Sequence, residues 1–147
     1  MDIKNLLKSL NDAKVDYVII GAMAMPAHGF ARVTVDIDIF VRPVLENFEK
    51  CIRGLKEFGY DLQEITAQDL LKHKILIRQY IVETDIHPFV TGVTFDEIWN
   101  SKVLGQYEGV EVYFAGLDSL IKMKKAANRP KDQEDLKFLE QIKKSKK

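Results

Sequence analysis

The stretch VIIGAMAMPAHGFARVTVDIDIFV, Val18 to Val41, decides how this chain is read. An apolar run ends at Gly21, a turn of small residues follows, and Asp36 and Asp38 then stand two apart in a strongly β-forming segment. Successive strand residues point to opposite faces. The two acids therefore share one face, and Val35, Ile37 and Ile39 share the other. Two carboxylates on one strand face, about 7 Å apart along the strand, can chelate a hard divalent cation such as Mg2+. The competing reading is an exposed polar strand face, although like charges side by side repel.

Outward from this stretch, helical and strand patterns alternate. Ile3, Leu6, Leu7 and Leu10 recur at helical spacing and predict a helix over residues 2–14. Tyr17 to Ile20 reads as a short strand ending at Gly21. Residues 22–28 read as a short helix, with Pro26 in or near its first turn and Gly29 closing it. Residues 33–41 form the carboxylate strand, ended by Pro43. Leu45, Phe48, Ile52, Leu55 and Phe58 mark a further helix stopped by Gly59. Ile75 to Ile86 is apolar and β-branched enough for one or two strands, and Asp96 to Asn100 suits a short helix. Val103 to Tyr107 and Val110 to Phe114 flank Glu108-Gly109 and predict a hairpin. Two C-terminal helices follow, one over Leu117 to Ala127 and one from Pro130, a favoured first helical residue, to Lys143. The fold class expected is α/β (α+β), a small mixed sheet packed by helices, with its site where charged strand ends converge.

Composition bounds the function classes. At 147 residues the chain is expected to form a single domain over 1–147, with Lys143 to Lys147 a frayed basic tail. An apolar fraction of 46% and a charged fraction of 30% are those of a globular protein. Lys plus Arg equals Asp plus Glu at 22 each, so bulk charge draws the chain to neither nucleic acid nor membrane. Cys51 has no partner for an internal disulfide and falls on an amphipathic helix as a half-buried packing residue. No apolar run is long enough to span a bilayer, and the charge-interrupted N-terminus is not a signal peptide. A cytoplasmic location is the default expectation. The three histidines and single cysteine show no zinc spacing.

The motifs carry a resemblance. Ile20-Gly21-Ala22, then Val35-Asp36-Ile37-Asp38-Ile39, resemble the signature of the nucleotidyltransferase fold, the DNA polymerase β superfamily. The intervening His28-Gly29-Phe30-Ala31-Arg32-Val33-Thr34 resembles the HG-x-x-R-x-T variant of stand-alone prokaryotic nucleotidyltransferases, including those of toxin–antitoxin and phage-defence systems. Val82-Glu83-Thr84-Asp85-Ile86-His87 fits the later strand that supplies the third acid; Asp85 is the choice and Glu83, on the same face, its rival. Leu120-Ile121-Lys122-Met123-Lys124, Arg129-Pro130-Lys131-Asp132 and Asp135-Leu136 are similar to the end of the same stand-alone group. The resemblance spans residues 15 to 139.

It implies a metal-dependent nucleotidyltransferase that moves an NMP from an NTP to a hydroxyl acceptor and releases pyrophosphate. Asp36, Asp38 and Asp85 would be catalytic residues and ligands to Mg2+ or Mn2+, in a two-metal mechanism. Gly21, Ala22, Arg32, Thr34, Lys124 and Lys131 would contact nucleotide, the Gly21-Ala22 turn offering backbone N–H groups to phosphate. Ala22 departs from the family's Gly or Ser and loses a hydroxyl; one hydrogen bond to a charged group is worth about 1.5–3 kcal/mol. The acceptor is an RNA end such as tRNA, a protein side chain or a small molecule, and a co-transcribed partner protein fits the toxin–antitoxin group. The alternative is a catalytically weak nucleotide- or partner-binding module that acts through a complex. His28 is read as structural, bonded to a carbonyl. His87 either lines the site beside Asp85 or ends a strand at the surface, and His73 is solvated. Phe95 and Trp99 are packing residues.

Overall fold

The strand that carries Asp36 and Asp38 lies inside a mixed six-stranded sheet of order β3-β4-β2-β1-β6-β5, in a computed structural model that describes residues 2–24, 28 and 36–145. Arg32, Thr34, Pro26 and Gly29, and the start of the expected 33–41 strand, lie outside the described residues. The strands are β1 (Tyr17–Ile20), β2 (Asp36–Val41), β3 (Ile75–Ile77), β4 (Glu83–His87), β5 (Val103–Tyr107) and β6 (Val110–Phe114). The helices are α1 (Ile3–Asp12), α2 (Leu45–Phe58), α3 (Ala67–Lys72), α4 (Phe95–Asn100), α5 (Leu117–Ala127) and α6 (Pro130–Ser145). This is the α+β architecture that the alternation of periods predicts.

Local chemistry sets the ends of these elements. Asp2 caps α1 by accepting a hydrogen bond from the Asn5 backbone N–H at 2.9 Å. Gly59, at φ 116°, closes α2 in the left-handed region, where its N–H reaches the Leu55 and Lys56 carbonyls. Glu108 and Gly109 both take positive φ, the requirement of a two-residue hairpin between strands of right-handed twist. The apolar stretch from Ile75 to Ile86 resolves into two antiparallel strands, β3 and β4. Between them Tyr80, at φ 62°, stacks on Tyr60 at 6.0 Å and donates its hydroxyl to the Gly59 carbonyl. The helix expected over 22–28 is a 3-10 turn, Gly21–Ala24, in its described part. Helix α3 was not foreseen. It follows a capping box in which the Thr66 hydroxyl accepts from the Asp69 N–H and the Asp69 carboxylate accepts from the Thr66 N–H.

Packing joins the layers. Ile37, Ile39 and Ile86 are fully buried and belong to one apolar core with Leu6, Leu7 and Leu10 of α1 and Phe48 and Leu55 of α2. Each such side chain removed from water contributes about 1.5–3 kcal/mol. Cys51 is fully buried in this core, where the sequence predicts half burial, and desolvation pushes its thiol up to about 12. Helices α1 and α2 meet at Gly54: an added Cβ there would stand 3.2 Å from the Leu10 Cα and the Ser9 carbonyl oxygen. Phe95 and Trp99 pack as expected, with the Arg42 guanidinium 4.7 Å and 4.9 Å from their ring centres. No helix among the described residues is long and apolar enough to cross a membrane.

Candidate metal and nucleotide site

Two neighbouring parallel strands assemble the site. In the β2–β4 ladder Asp36 lies opposite Glu83, Asp38 opposite Asp85 and Phe40 opposite His87. Partners in register share a sheet face, so Asp36, Asp38, Glu83, Asp85 and His87 line one face. Ile37, Ile39, Thr84 and Ile86 are fully buried on the other. The alternation that the DIDIF and ETDIH segments show in sequence is thus carried into two aligned rows. Behind the acids, the Tyr60 hydroxyl donates to the Val82 carbonyl at 2.7 Å and accepts from the Thr84 hydroxyl at 2.8 Å. The buried polar face of β4 is therefore satisfied, and the strand is fixed at the residue between Glu83 and Asp85.

Cations and protons balance the charge on the open face. His87 Nε2 lies 2.8 Å from Asp38 Oδ1, and because a carboxylate only accepts, Nε2 carries the proton of that bond. Arg78 Nη1 donates to Asp85 Oδ1 at 2.6 Å, a charge-assisted bond, and Arg78 Nε stands 3.5 Å from Glu83 Oε2. Glu83 also hydrogen-bonds to the Asp36 carboxyl opposite it. That bond, then desolvation and the repulsion of Asp36, raises the Glu83 pKa above the ordinary carboxylate range. One ligand atom each from Asp38, Asp85 and His87 lie within 4.8 Å of one another, all three side chains half-buried. Two acids and an imidazole at that spacing can hold a divalent ion.

Gly21 completes this corner. Its φ is +74°, and a Cβ built on it would sit 2.7 Å from Asp38 Oδ2. The turn after β1 therefore approaches the Asp38 carboxylate so closely that only glycine fits. β1 and β2 set up the approach by their antiparallel register, which puts Ile20 opposite Asp38.

The C-terminal cations are arranged differently from a row of free phosphate contacts. Lys124 on α5 is largely buried, with Nζ 3.4 Å from Asp132 Oδ1 and 3.2 Å from Asp135 Oδ2. Arg129 grips Asp132 with a fork, Nε to Oδ2 at 2.6 Å and Nη2 to Oδ1 at 3.2 Å, and its backbone N–H adds a third bond. Asp132 is fully buried. Burial opposes its ionisation, but the Arg129 hydrogen bonds and the Lys124 charge outweigh it and bring its pKa down to about 2. Arg129, whose side chain is 58% exposed, also feels the Asp38 charge, so this cluster borders the β2 acids. Lys131 is exposed on the first turn of α6.

The structure thus gathers Asp36, Asp38, Asp85 and Gly21 at one corner, and ties Lys124 into an ion cluster beside it. Glu83, the rival third acid, bonds to Asp36, whereas Asp85 sits with Asp38. His28 is buried and its Nε2 donates to the Ala115 carbonyl at 2.9 Å, a tie to the end of β6. His87 takes the site-lining alternative. Arg78 is the participant that motif reading missed: it follows an edge strand and reaches back to Asp85 across a turn, a placement no sequence spacing encodes.

Residues 1–144 match the family described as "Nucleotidyltransferase of unknown function (DUF6036)". No curated protein matches the chain.

Proposed function

Because the chain belongs to the DUF6036 family of nucleotidyltransferases of unknown function, we propose that it moves a nucleoside monophosphate from an NTP to a hydroxyl acceptor in a metal-dependent reaction. The observation that carries this reading is the ladder register that sets Asp38 beside Asp85, with Asp36 one step along the same face. The donors fit a hard or borderline divalent cation: Asp38, Asp85 and His87 each present a ligand atom within 4.8 Å of the others. Asp36, Asp38 and Asp85 are the residues proposed to hold Mg2+ or Mn2+. When bound, such ions supply positive charge to the α-phosphate and to the attacking and leaving oxygens.

The remaining work falls to side chains and backbone. The acceptor oxygen attacks the α-phosphorus, the bond to the β-phosphate bridging oxygen breaks, and pyrophosphate leaves with that electron pair. Asp85 takes the hydroxyl proton as the oxygen attacks. Arg78 holds Asp85 in place through its 2.6 Å bond. The Gly21–Ala22 turn offers N–H groups to the β- and γ-phosphates. Arg32, Thr34, Arg129 and Lys131 are proposed to balance triphosphate charge, with Lys124 acting behind them by fixing Asp132. The acceptor class, an RNA end, a protein side chain or a small molecule, follows from the product.

Mg2+- or Mn2+-dependent transfer of label from each α-32P NTP into lysate components tests the reading. Asp36→Asn and Asp38→Asn should each lower transfer by about 10²-fold or more, the equivalent of losing several kcal/mol of charge stabilisation. Transfer unchanged in both variants contradicts it. One observation favours a second reading, a binding module with little catalysis: Arg78 already neutralises Asp85. NTP binding without turnover would select it.

A further inference from the structure

We infer that His87 is itself a metal ligand and tilts the site toward first-row transition ions such as Mn2+ and away from Mg2+. The inference rests on the metal-dependent reading above and specifies which ion that site prefers.

The two buried or half-buried histidines are held in chemically different ways. His28 Nε2 is committed to the Ala115 carbonyl, a neutral backbone oxygen that anchors the ring. His87 Nε2 is instead turned to Asp38 Oδ1, an anionic oxygen that is itself a candidate ligand. The two donor atoms therefore stand side by side on the acid-bearing face of the sheet, close enough to serve as neighbouring ligands of one ion. Their separation of 2.8 Å is close to the ~3 Å between neighbouring ligand atoms around an octahedral ion with bonds of about 2.1 Å. Asp85 lies across the ladder within the same 4.8 Å span. The His87 side chain is 14% exposed, so bulk water has little access to compete for the position.

Donor chemistry then sets the preference. Mg2+ takes oxygen ligands and dehydrates reluctantly, whereas imidazole nitrogen binds borderline first-row ions well. Two carboxylates alone would hold Mg2+ and Mn2+ by similar means. Adding an imidazole to them strengthens the second more than the first. If His87 only orients Asp38 through its hydrogen bond, removing it weakens both ions alike and leaves their ratio unchanged.

Mn2+ is therefore titrated into the full chain, Mg2+ is competed against it, and nitrogen coupling to bound Mn2+ is read by pulsed EPR. The wild-type protein should show a directly coordinated nitrogen. In His87→Gln the coupling should vanish and the ratio of Mn2+ to Mg2+ affinity should fall by about tenfold or more. His73→Gln should keep both. His87→Asn serves in its place should His87→Gln not fold, as judged by circular dichroism. Mn2+ that binds, is released by Asp38→Asn, and shows no nitrogen coupling overturns the inference and leaves the metal-dependent reading standing. No saturable binding of either ion overturns both.

Discussion

Gly21 and Asp38 fix each other's positions. The positive φ at Gly21 costs a residue with a Cβ about 1–2 kcal/mol, and that Cβ would stand 2.7 Å from Asp38 Oδ2. Gly21→Ala is therefore expected to lower stability by at least this amount in urea unfolding and to push the Asp38 carboxylate off its position, with loss of metal binding by calorimetry. Unaltered stability and metal affinity would contradict the close approach. At this scale much was legible: the apolar–Asp alternation put Asp36 and Asp38 on one face before any pairing was known, and His28 needed only a carbonyl partner. The legible part stops where the partner comes from elsewhere in the chain. Gly21 has its phosphate-type context in the sequence, but its contact with Asp38 depends on the β1–β2 register. Arg78 reaches Asp85 through a turn with no motif at all.

Elements join through small contacts with large consequences. Helices α1 and α2 close at Gly54, where a Cβ would press on the Leu10 Cα and the Ser9 carbonyl at 3.2 Å. Gly54→Val should destabilise the protein by about 1–3 kcal/mol in denaturant titration, the cost of overpacking against backbone, even though valine is the better helix former. Stability at or above wild type would show that α1 gives way. Helices α5 and α6 are joined by Lys124, Asp132 and Arg129. The folded-state pKa of Asp132 is depressed from 3.8 to about 2, so its contribution is fully present above pH 3.8 and is lost as pH falls toward 2. The shift corresponds to on the order of 2 kcal/mol. Urea unfolding between pH 6 and about 2 should show Asp132→Asn losing less stability with acid than the wild type, and parallel pH profiles would refute this. Elements with local signals were read to the residue: α2 by its apolar spacing and Gly59, the β5–β6 hairpin by Glu108-Gly109. Helix α3 is announced in the sequence by the Thr66–Asp69 capping box, a signal that the apolar pattern does not contain.

The whole molecule places the site by an order of strands that no local pattern encodes. A hairpin pairs neighbours in sequence, as β5 and β6 do, but β2 joins β4 in parallel across α2, α3 and β3, and β1 joins β6 in parallel. Such long-range ladders are decided by burial of both faces together, which is why the family resemblance, rather than periodicity, anticipated that the third acid lies beside the first two. The α+β class and the family assignment over residues 1–144 agree with that expectation. This corner of the sheet is proposed to direct cleavage between the α- and β-phosphates. The most direct measurement follows one NTP labelled at the α-phosphate and, in parallel, at the γ-phosphate, with Mn2+ and a host-cell lysate as acceptor source, for the wild type and Asp38→Asn. The α label should enter a larger product while the γ label leaves as pyrophosphate, in equal amounts and only with Asp38 intact. Asp38-dependent release of the γ label with no α label transferred, or equal transfer by Asp38→Asn, would contradict it.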